Sequence, residues 1–381
     1  MEKVHVLFVG GRQAPNVIGT LLLRPDHVKL IISKDEREKK SALIDALPSK
    51  ELLIITEEEV DATDFGVNLI ICERICKQHQ DKQIYFNVTC GTKIMGLAAY
   101  EIARRFQGTK VFYVDTAKRR IIWLWPLEEK EQAGYEQFKI NIEQYLAMYG
   151  RKAVRKPVFQ NLTFSESQAS EAASLLARSI PVSTKILEQI KRTQGSGRRK
   201  IQIKNPEEKI LVNQLEQKGI IDVEDDAFWI RSNGDWNFLK GDWLEVYVWN
   251  EARAQQDHKG QSFFDEVAIG LEIPSGLAQK EIDVACLYQA QLIHCSCKTG
   301  SDIFETEYLD ELSAVSSLIG GRFCSRIFIT NQIFSDPVKE KERRFLEQAK
   351  QREVVVVTGD KLVNIAELLK KQAINPDFMR M

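Results

Sequence analysis

Short apolar runs alternate with longer amphipathic stretches through about the first 150 residues. Val4–Val9, Val28–Ile32, Leu52–Ile55, Ile84–Val88 and Val111–Val114 are rich in β-branched and aromatic residues, and the first of them ends in Gly10-Gly11. Between them, Glu36–Leu47, Phe65–His79 and Thr92–Phe106 are charged or amphipathic helical stretches. Strands apolar on both faces that alternate with helices predict a doubly wound, mostly parallel α/β sheet. Ile121–Leu127 adds a further aromatic-rich strand, and Tyr135–Tyr149 reads as an amphipathic helix ending at Gly150.

The pattern weakens over Arg151–Lys200, where Ser165–Ser179 is helical and Gly195–Lys200 reads as an exposed basic linker. Pro206–Lys218 predicts a helix, followed by short strands at Ile220–Val223 and Ala227–Arg231. Helix, strand, turn and strand resemble the end of a winged helix. The helix offers only Asn213, Gln214 and Gln217 for reading bases, among several acids, so a structural connector is the expectation. A new pattern begins at Trp243–Ala254, a helix. Strands come next at Phe264–Ile273, Ile282–Tyr288 and Leu292–Cys297, then a helix at Phe304–Leu318, a strand at Ile327–Thr330, a helix at Val338–Gln351, a strand at Val354–Val357 and a helix at Lys361–Lys371. The expected organisation is therefore 1–150, 151–238 and 239–381.

Composition narrows the partners. Lys and Arg number 53 against 54 Asp and Glu, a formal charge of −1, so a nucleic acid must be met by local basic patches. Lys191-Arg192, Arg198-Arg199-Lys200 and Arg343-Arg344 are candidates, or simply solvated faces. Seven scattered cysteines make a disulfide framework unexpected and a reducing cytoplasm the expected setting. Cys72 with Cys76 and Cys295 with Cys297 read as small core residues. No long uncharged apolar run and no signal-peptide pattern is present, so no membrane partner is expected.

Two places carry chemistry. Glu281-Ile-Asp283 opens one predicted strand, and Ser296-Cys297-Lys298 closes the next, after a turn-like Gln289-Ala290-Gln291. Side chains alternate along a strand, so Ser296 shares a face with Lys298, and Glu281 with Asp283. If the strands pair, Asp283 and Lys298 converge at one end of the sheet. An acid and a lysine so placed suit metal-dependent phosphodiester hydrolysis: the acid holds a divalent cation, and the lysine positions water or offsets phosphate charge. His294 shares the lysine's face and reads as a packed histidine, and Trp229, Trp236, Trp243 and Trp249 read as packing around the domain junction. The second place is a pair of loops at the carboxyl ends of strands, where doubly wound sheets bind ligands. One is Gly10-Gly-Arg-Gln-Ala-Pro-Asn16. The other is Asn87-Val-Thr-Cys-Gly-Thr-Lys-Ile-Met95, which turns at Gly91 and enters a helix carrying Thr92 and Lys93. Free amides at a helix start, a hydroxyl and a lysine suit a phosphate, or else form an ordinary capped turn.

The run Asn-x-Thr-x-Gly-Thr-Lys-x-Met after a strand resembles CARF domains, the cyclic-oligoadenylate sensors of type III CRISPR systems, over about residues 1–150. The resemblance implies a homodimer binding a ring of adenylates across its two-fold axis. Thr89, Gly91, Thr92, Lys93 and Met95 would face the ring, with Arg12, Gln13 and Asn16 contributing from the first loop. Cys90 stands where many relatives carry Gly, and tetra-adenylate is the expected activator.

Farther on, Gly241-Asp-Trp-Leu-Glu245, Glu281-Ile-Asp-Val284 and Cys297-Lys298 come in the order found in CARF-fused CRISPR ancillary nucleases. These join a Rossmann-like sensor to a PD-(D/E)xK, restriction-endonuclease-like domain, with roles in antiviral defence and with DNA or RNA as substrate. The resemblance implies Asp283 as central metal ligand, Lys298 as catalytic lysine and Glu245 in support, with Mn²⁺ or Mg²⁺ as cofactor. The third motif departs from the family: Ser296 stands where an acid is expected. Some type II restriction endonucleases place that acid on the next helix, about thirteen residues beyond the lysine, which here is Glu311. Glu311 is accordingly the expected catalytic and second metal-binding carboxylate, with Glu307 in reserve. The alternative is a site left one carboxylate short, in a sensor whose second domain binds or regulates without cutting.

Overall fold

The chain begins in the middle of a sheet. In the computed structural model, which describes residues 1–48, 54–127, 134–193, 198–275, 278–300 and 303–376, the chain divides into two units, Met1–Lys152 and Ala153–Met381. In the first, β1 (Lys3–Phe8), β2 (His27–Ser33), β3 (Ile54–Val60), β4 (Gln83–Asn87), β5 (Thr109–Asp115) and β6 (Arg120–Trp125) form one sheet in the order β3-β2-β1-β4-β5-β6. All neighbours are parallel except β5 and β6. Helices α1 (Ala14–Leu23), α2 (Lys39–Ala46), α3 (Phe65–Gln78), α4 (Lys93–Ala103) and α5 (Ile142–Ala147) complete this unit. The chain winds outward from β1 to β3 and returns at β4. The loops after β1 and β4 therefore meet where the winding reverses.

Charge explains where β3 departs from the apolar-run expectation. Leu52 lies outside the described residues, and the strand extends through Thr56-Glu57-Glu58-Glu59. It is an edge strand, where charged side chains are tolerated and discourage further pairing. Glu57 is paired with Lys40, Glu58 with Lys29 and Arg74, and Glu59 with Arg37. The long helix expected over Tyr135–Tyr149 shrinks to a 3-10 turn at Tyr135–Gln137 and then α5, which Asn141 starts by accepting the N–H of Gln144 at 2.7 Å.

In the second unit, β7 (Val154–Arg155) precedes α6 (Glu166–Arg178), α7 (Val182–Arg192), β8 (Arg199–Gln202), α8 (Pro206–Gln217), β9 (Asp222–Glu224), β10 (Ala227–Ile230) and α9 (Asn233–Asn237). Strands β8, β10 and β9 form a small antiparallel sheet beside these helices, as in a winged helix. Part of the expected Gly195–Lys200 linker lies outside the described residues; Arg199 and Lys200 begin β8. A π-helical turn, Phe238–Asp242, joins α9 to α10 (Trp243–Arg253). Then come β11 (Glu266–Ser275), β12 (Ala278–Tyr288), β13 (Gln291–Lys298), α11 (Thr306–Leu318), β14 (Cys324–Thr330), α12 (Glu340–Gln351), β15 (Val354–Val357) and α13 (Ile365–Ile374). The large sheet runs β15-β14-β13-β12-β11-β7, antiparallel from β13 to β7 and parallel from β13 to β15.

The stretch 151–238 is not a separate body from residues 239–381. Leu176, Ile190, Leu215 and Phe228 share one buried core with Trp243, Leu244 and Tyr247 of α10 and Cys286, Cys295 and Ile329 of the large sheet. Among the described residues, no helix is long and apolar enough to cross a membrane.

Candidate functional site

In the second unit a two-residue turn, Gln289-Ala290, links β12 to β13. Both residues have positive φ, as a tight hairpin of this hand requires. The ladder runs from Tyr288↔Gln291 to Val284↔Cys295. Beyond that last pair the Asp283 carboxylate takes the place of a partner strand. It accepts the Cys297 N–H at 2.7 Å and the Lys298 ammonium at 3.2 Å, with the Ser296 hydroxyl at 3.5 Å. Asp283 is only 4% exposed, while the Lys298 side chain keeps 30% of its surface. Burial raises the Asp283 carboxyl, against the pull of Lys298 and the Cys297 amide, and Asp283 in turn holds Lys298 firmly protonated.

Helix α10 supplies more acid. Glu245 is half-buried, and burial together with the charges of Asp283, Asp242 and Glu281 pushes its carboxyl well up. Asp242, at the end of the π turn, is pushed up to about 6 by burial and Glu281, opposed by Lys156 and Lys240. Glu281 is itself paired with Lys156 at 2.6 Å. Among the described residues, no group donates a hydrogen bond to the Glu245 or Asp242 carboxylates. Carboxylates that repel one another and lack donors are hard oxygen ligands in need of positive charge, which fits a divalent cation of the Mg²⁺ or Mn²⁺ kind. Among the described residues no three such side chains are already drawn into a ligand shell.

Glu311 is not among the charges that act most strongly on this cluster. It is exposed on α11, as is Glu307, and the strongest charges acting on Asp283 are those of Lys298 and Glu281. The buried face of α11 is Leu309, Leu312, Val315 and Ser316, and position 311 is not part of it. Ser316 meets His294 at 3.0 Å, and burial holds that imidazole down to about 3, so it packs as a neutral ring.

In the first unit the two expected loops touch. A side chain at Gly10 would strike the Gly91 nitrogen at 2.5 Å, and one at Gly91, where φ is +78°, would meet Phe8 at 2.7 Å. The eight expected ligand residues separate by environment. Gln13 reaches the Gly10 carbonyl, and Asn16 bonds the Phe8 carbonyl at 2.9 Å and Gln13 at 3.2 Å; both are buried. Thr89 donates to Asn87 at 2.6 Å and accepts the Val114 N–H at 2.7 Å. Thr92 caps α4 through the Met95 N–H at 3.2 Å and donates to the Ala62 carbonyl at 2.7 Å, while Met95 is buried beneath. Cys90 is also buried, its thiol directed at the Arg12 carbonyl at 3.0 Å. Arg12, Gly91 and Lys93 are exposed, at the first turn of α4 and the facing loop.

The family model for the Card1 CARF domain matches residues 4–145, and that for the Card1-like endonuclease domain matches residues 233–375. The chain belongs to the CARF-domain nucleases. Can2 from Sulfobacillus thermosulfidooxidans, in a structure with cyclic tetra-adenylate, is 23% identical with a TM-score of 0.73, over 97% of this chain and 99% of its own. Protein VC1899 from Vibrio cholerae is 17% identical with a TM-score of 0.78, over 98% of each chain. Both show the same fold. No curated protein matches the sequence.

Within this CARF-nuclease frame, sequence reading passed over Asp242. The residue stands in the Gly241–Glu245 run, three before Glu245. On a regular helix three positions is close to one turn, which was signal enough to find it. The π turn that carries it leaves no comparable trace in the hydrophobic pattern.

Proposed function

We propose that this protein is a nuclease switched on by a cyclic oligoadenylate, with tetra-adenylate the first candidate, and that it serves type III CRISPR defence. The observation that carries the hydrolytic half is Asp283, buried at the end of the β12–β13 ladder, bonded to Lys298 and acting on Glu245 and Asp242. Asp283 and Glu245 would hold a divalent cation, with Asp242 supplying the carboxylate that Ser296 lacks. Such a cation contributes Lewis-acid polarisation of the phosphate and offsets developing charge. Lys298, fixed by Asp283, positions the attacking water and faces the phosphate oxygens. Glu311 stays outside this set.

Can2, seen with cyclic tetra-adenylate, supports the activator. Here Lys93, Arg12 and the amides of the first turn of α4 would contact the ring. Gln13, Asn16, Thr89, Thr92 and Met95 would hold the two loops in register. A homodimer suits a symmetric ring. In support, Ile70 on α3 and Leu97 on α4, two helices packed together, are 65% and 59% exposed. Ring binding would shift the population between two dimer states.

Ser296 favours a second reading, a sensor whose endonuclease domain binds nucleic acid without cutting it. The deciding experiment incubates the protein with cyclic tetra-adenylate, Mn²⁺ and either plasmid DNA or single-stranded RNA, beside Asp283→Ala. Ligand-dependent cleavage by the wild type and none by the variant is expected. No cleavage of any substrate leaves only the sensor.

A further inference from the structure

Beside the acid cluster stand two lysines that the hydrolytic mechanism does not use. Lys191 lies in the last turn of α7, half-buried, and its ammonium donates to the Thr299 hydroxyl at 2.9 Å. That hydroxyl donates to the Lys240 carbonyl at 2.8 Å, and Thr299 is the residue after Lys298. Lys240 belongs to the π turn, is exposed, and holds its ammonium 4.7 Å above the Trp236 ring. Two glycines make room for this joint. A side chain at Gly300, where φ is +125°, would stand 2.9 Å from the Lys191 nitrogen, and one at Gly241 would stand 3.3 Å from the Thr299 hydroxyl.

A bland reading makes Lys191 a fastener for the end of β13, helped by its place at a helix C-terminus. Fastening a hydroxyl needs only a neutral donor. What the structure supplies is an ammonium removed from water and set near a second ammonium. Among the described residues neither lysine has a carboxylate within ion-pair reach, although Asp242 feels the charge of Lys240. Burial and Lys240 hold the Lys191 ammonium down to about 8, against the weaker opposing charge of Glu188. Like charges so placed disfavour the free state unless an anion answers them. Other lysines of this unit do find carboxylates, as Lys209 does at Asp226 and Lys218 at Glu171.

We propose that Lys191 and Lys240, joined through Thr299, form a subsite for a backbone phosphate of the nucleic-acid substrate, next to the one being hydrolysed. This rests on the nuclease reading and adds to it a residue pair outside the Asp283–Lys298 centre. The acid cluster handles the scissile phosphate, and the paired lysines draw the adjoining one to the end of β13. Trp236 steadies the Lys240 ammonium by its ring face. A chain of net charge −1 has no general field to gather a polyanion, so a local pair of cations with no ion-pair partner among the described residues is what such a substrate would find.

The test is nucleic-acid affinity, read by fluorescence anisotropy on the full-length protein with cyclic tetra-adenylate, across a series of KCl concentrations. Labelled single-stranded RNA, single-stranded DNA and duplex DNA are run in parallel, without divalent cation so that cleavage does not interfere. Lys191→Gln and Lys240→Ala are each expected to weaken binding about tenfold at low salt and to reduce the slope of log K against log salt by about 0.7 on single strands or 0.9 on duplex, as loss of one phosphate contact requires. Lys191→Arg retains the wild-type slope. Gly300→Ala, which displaces the Lys191 ammonium without removing it, weakens binding in the same direction. Thermal melts accompany each variant, and Lys191→Gln, which keeps a hydrogen-bond donor, is the variant of record if truncations melt early. A folded Lys191→Gln and a folded Lys240→Ala with wild-type slopes overturn the subsite while leaving the nuclease reading intact. A wild type that binds none of the three nucleic acids overturns both.

Discussion

Single residues decide the chemistry here, and Ser296 is the first of them. Its hydroxyl lies at the limit of hydrogen-bond reach from Asp283, 3.5 Å, where the family pattern has a carboxylate. The acids of that neighbourhood are Glu245 of α10, Asp242 of the π turn and Glu281 of β12. Glu245→Ala and Asp283→Ala should therefore each lower activator-dependent cleavage by about 100-fold or more, in line with loss of a cation ligand's support. Glu311→Ala should leave the rate unchanged, and single-turnover cleavage assays compare all three. A second prediction concerns buried histidines. His5, fully buried against Thr20, and His294, against Ser316, are both held near 3 in place of the ordinary 6.5. The unfolded chain takes up these protons as the pH falls through about 6.5, and the folded chain does not until about 3. Their contribution to stability is thus full above 6.5 and is lost progressively on acidification. Melting temperatures measured from pH 7.5 to 4.5 should fall, and His294→Asn should flatten the fall if the variant still folds.

At the scale of elements, the N-terminal loops work because two glycine backbones pass within van der Waals distance. Gly91→Ala places a Cβ 2.7 Å from that of Phe8 at a backbone angle that L residues resist. The expected cost is about 1–3 kcal/mol by chemical denaturation, with a larger loss of cyclic tetra-adenylate binding by calorimetry. Thr92→Ala removes a helix cap and should cost about 1 kcal/mol. These loops were legible, because a strand running into Gly and then a Thr-capped helix is a local pattern. So were the β12–β13 hairpin and the meeting of Asp283 with Lys298, which result from alternation along paired strands. Less legible was any element whose reason lies elsewhere in the chain. Helix α1 begins directly after the Gly10 loop at Ala14-Pro15, with no side-chain cap. Strand β3 runs through three glutamates that Lys29, Lys40, Arg37 and Arg74 neutralise from other elements. Counting thirteen residues from Lys298 led to an exposed position of α11, whereas Asp242 is set among the other acids by packing that no count along the chain reveals.

For the molecule as a whole, the boundary that matters lies near residue 152 rather than 238. A fragment of residues 239–381 would open the core that Trp243, Leu244 and Tyr247 share with Leu176, Ile190, Leu215 and Phe228. Large apolar surfaces of that kind cost roughly 25 cal/mol per Å² when left in water. The fragment should show no cooperative melt and should bind a hydrophobic dye, whereas residues 153–381 should unfold in one transition; circular dichroism distinguishes the two.

The π turn at Phe238–Asp242 amounts to one residue more than a regular helix would hold over the same rise. Removing a single position there, Leu239 for instance, would let the winding close into ordinary α geometry, keeping α9 and α10 in register and re-aiming the side chains of the turn itself. Asp242 would leave the carboxylates and Lys240 would leave Thr299, while Glu245, Asp283 and Lys298 kept their identities. One codon's deletion would thus disarm both halves of the substrate cradle without altering any residue that contributes to it.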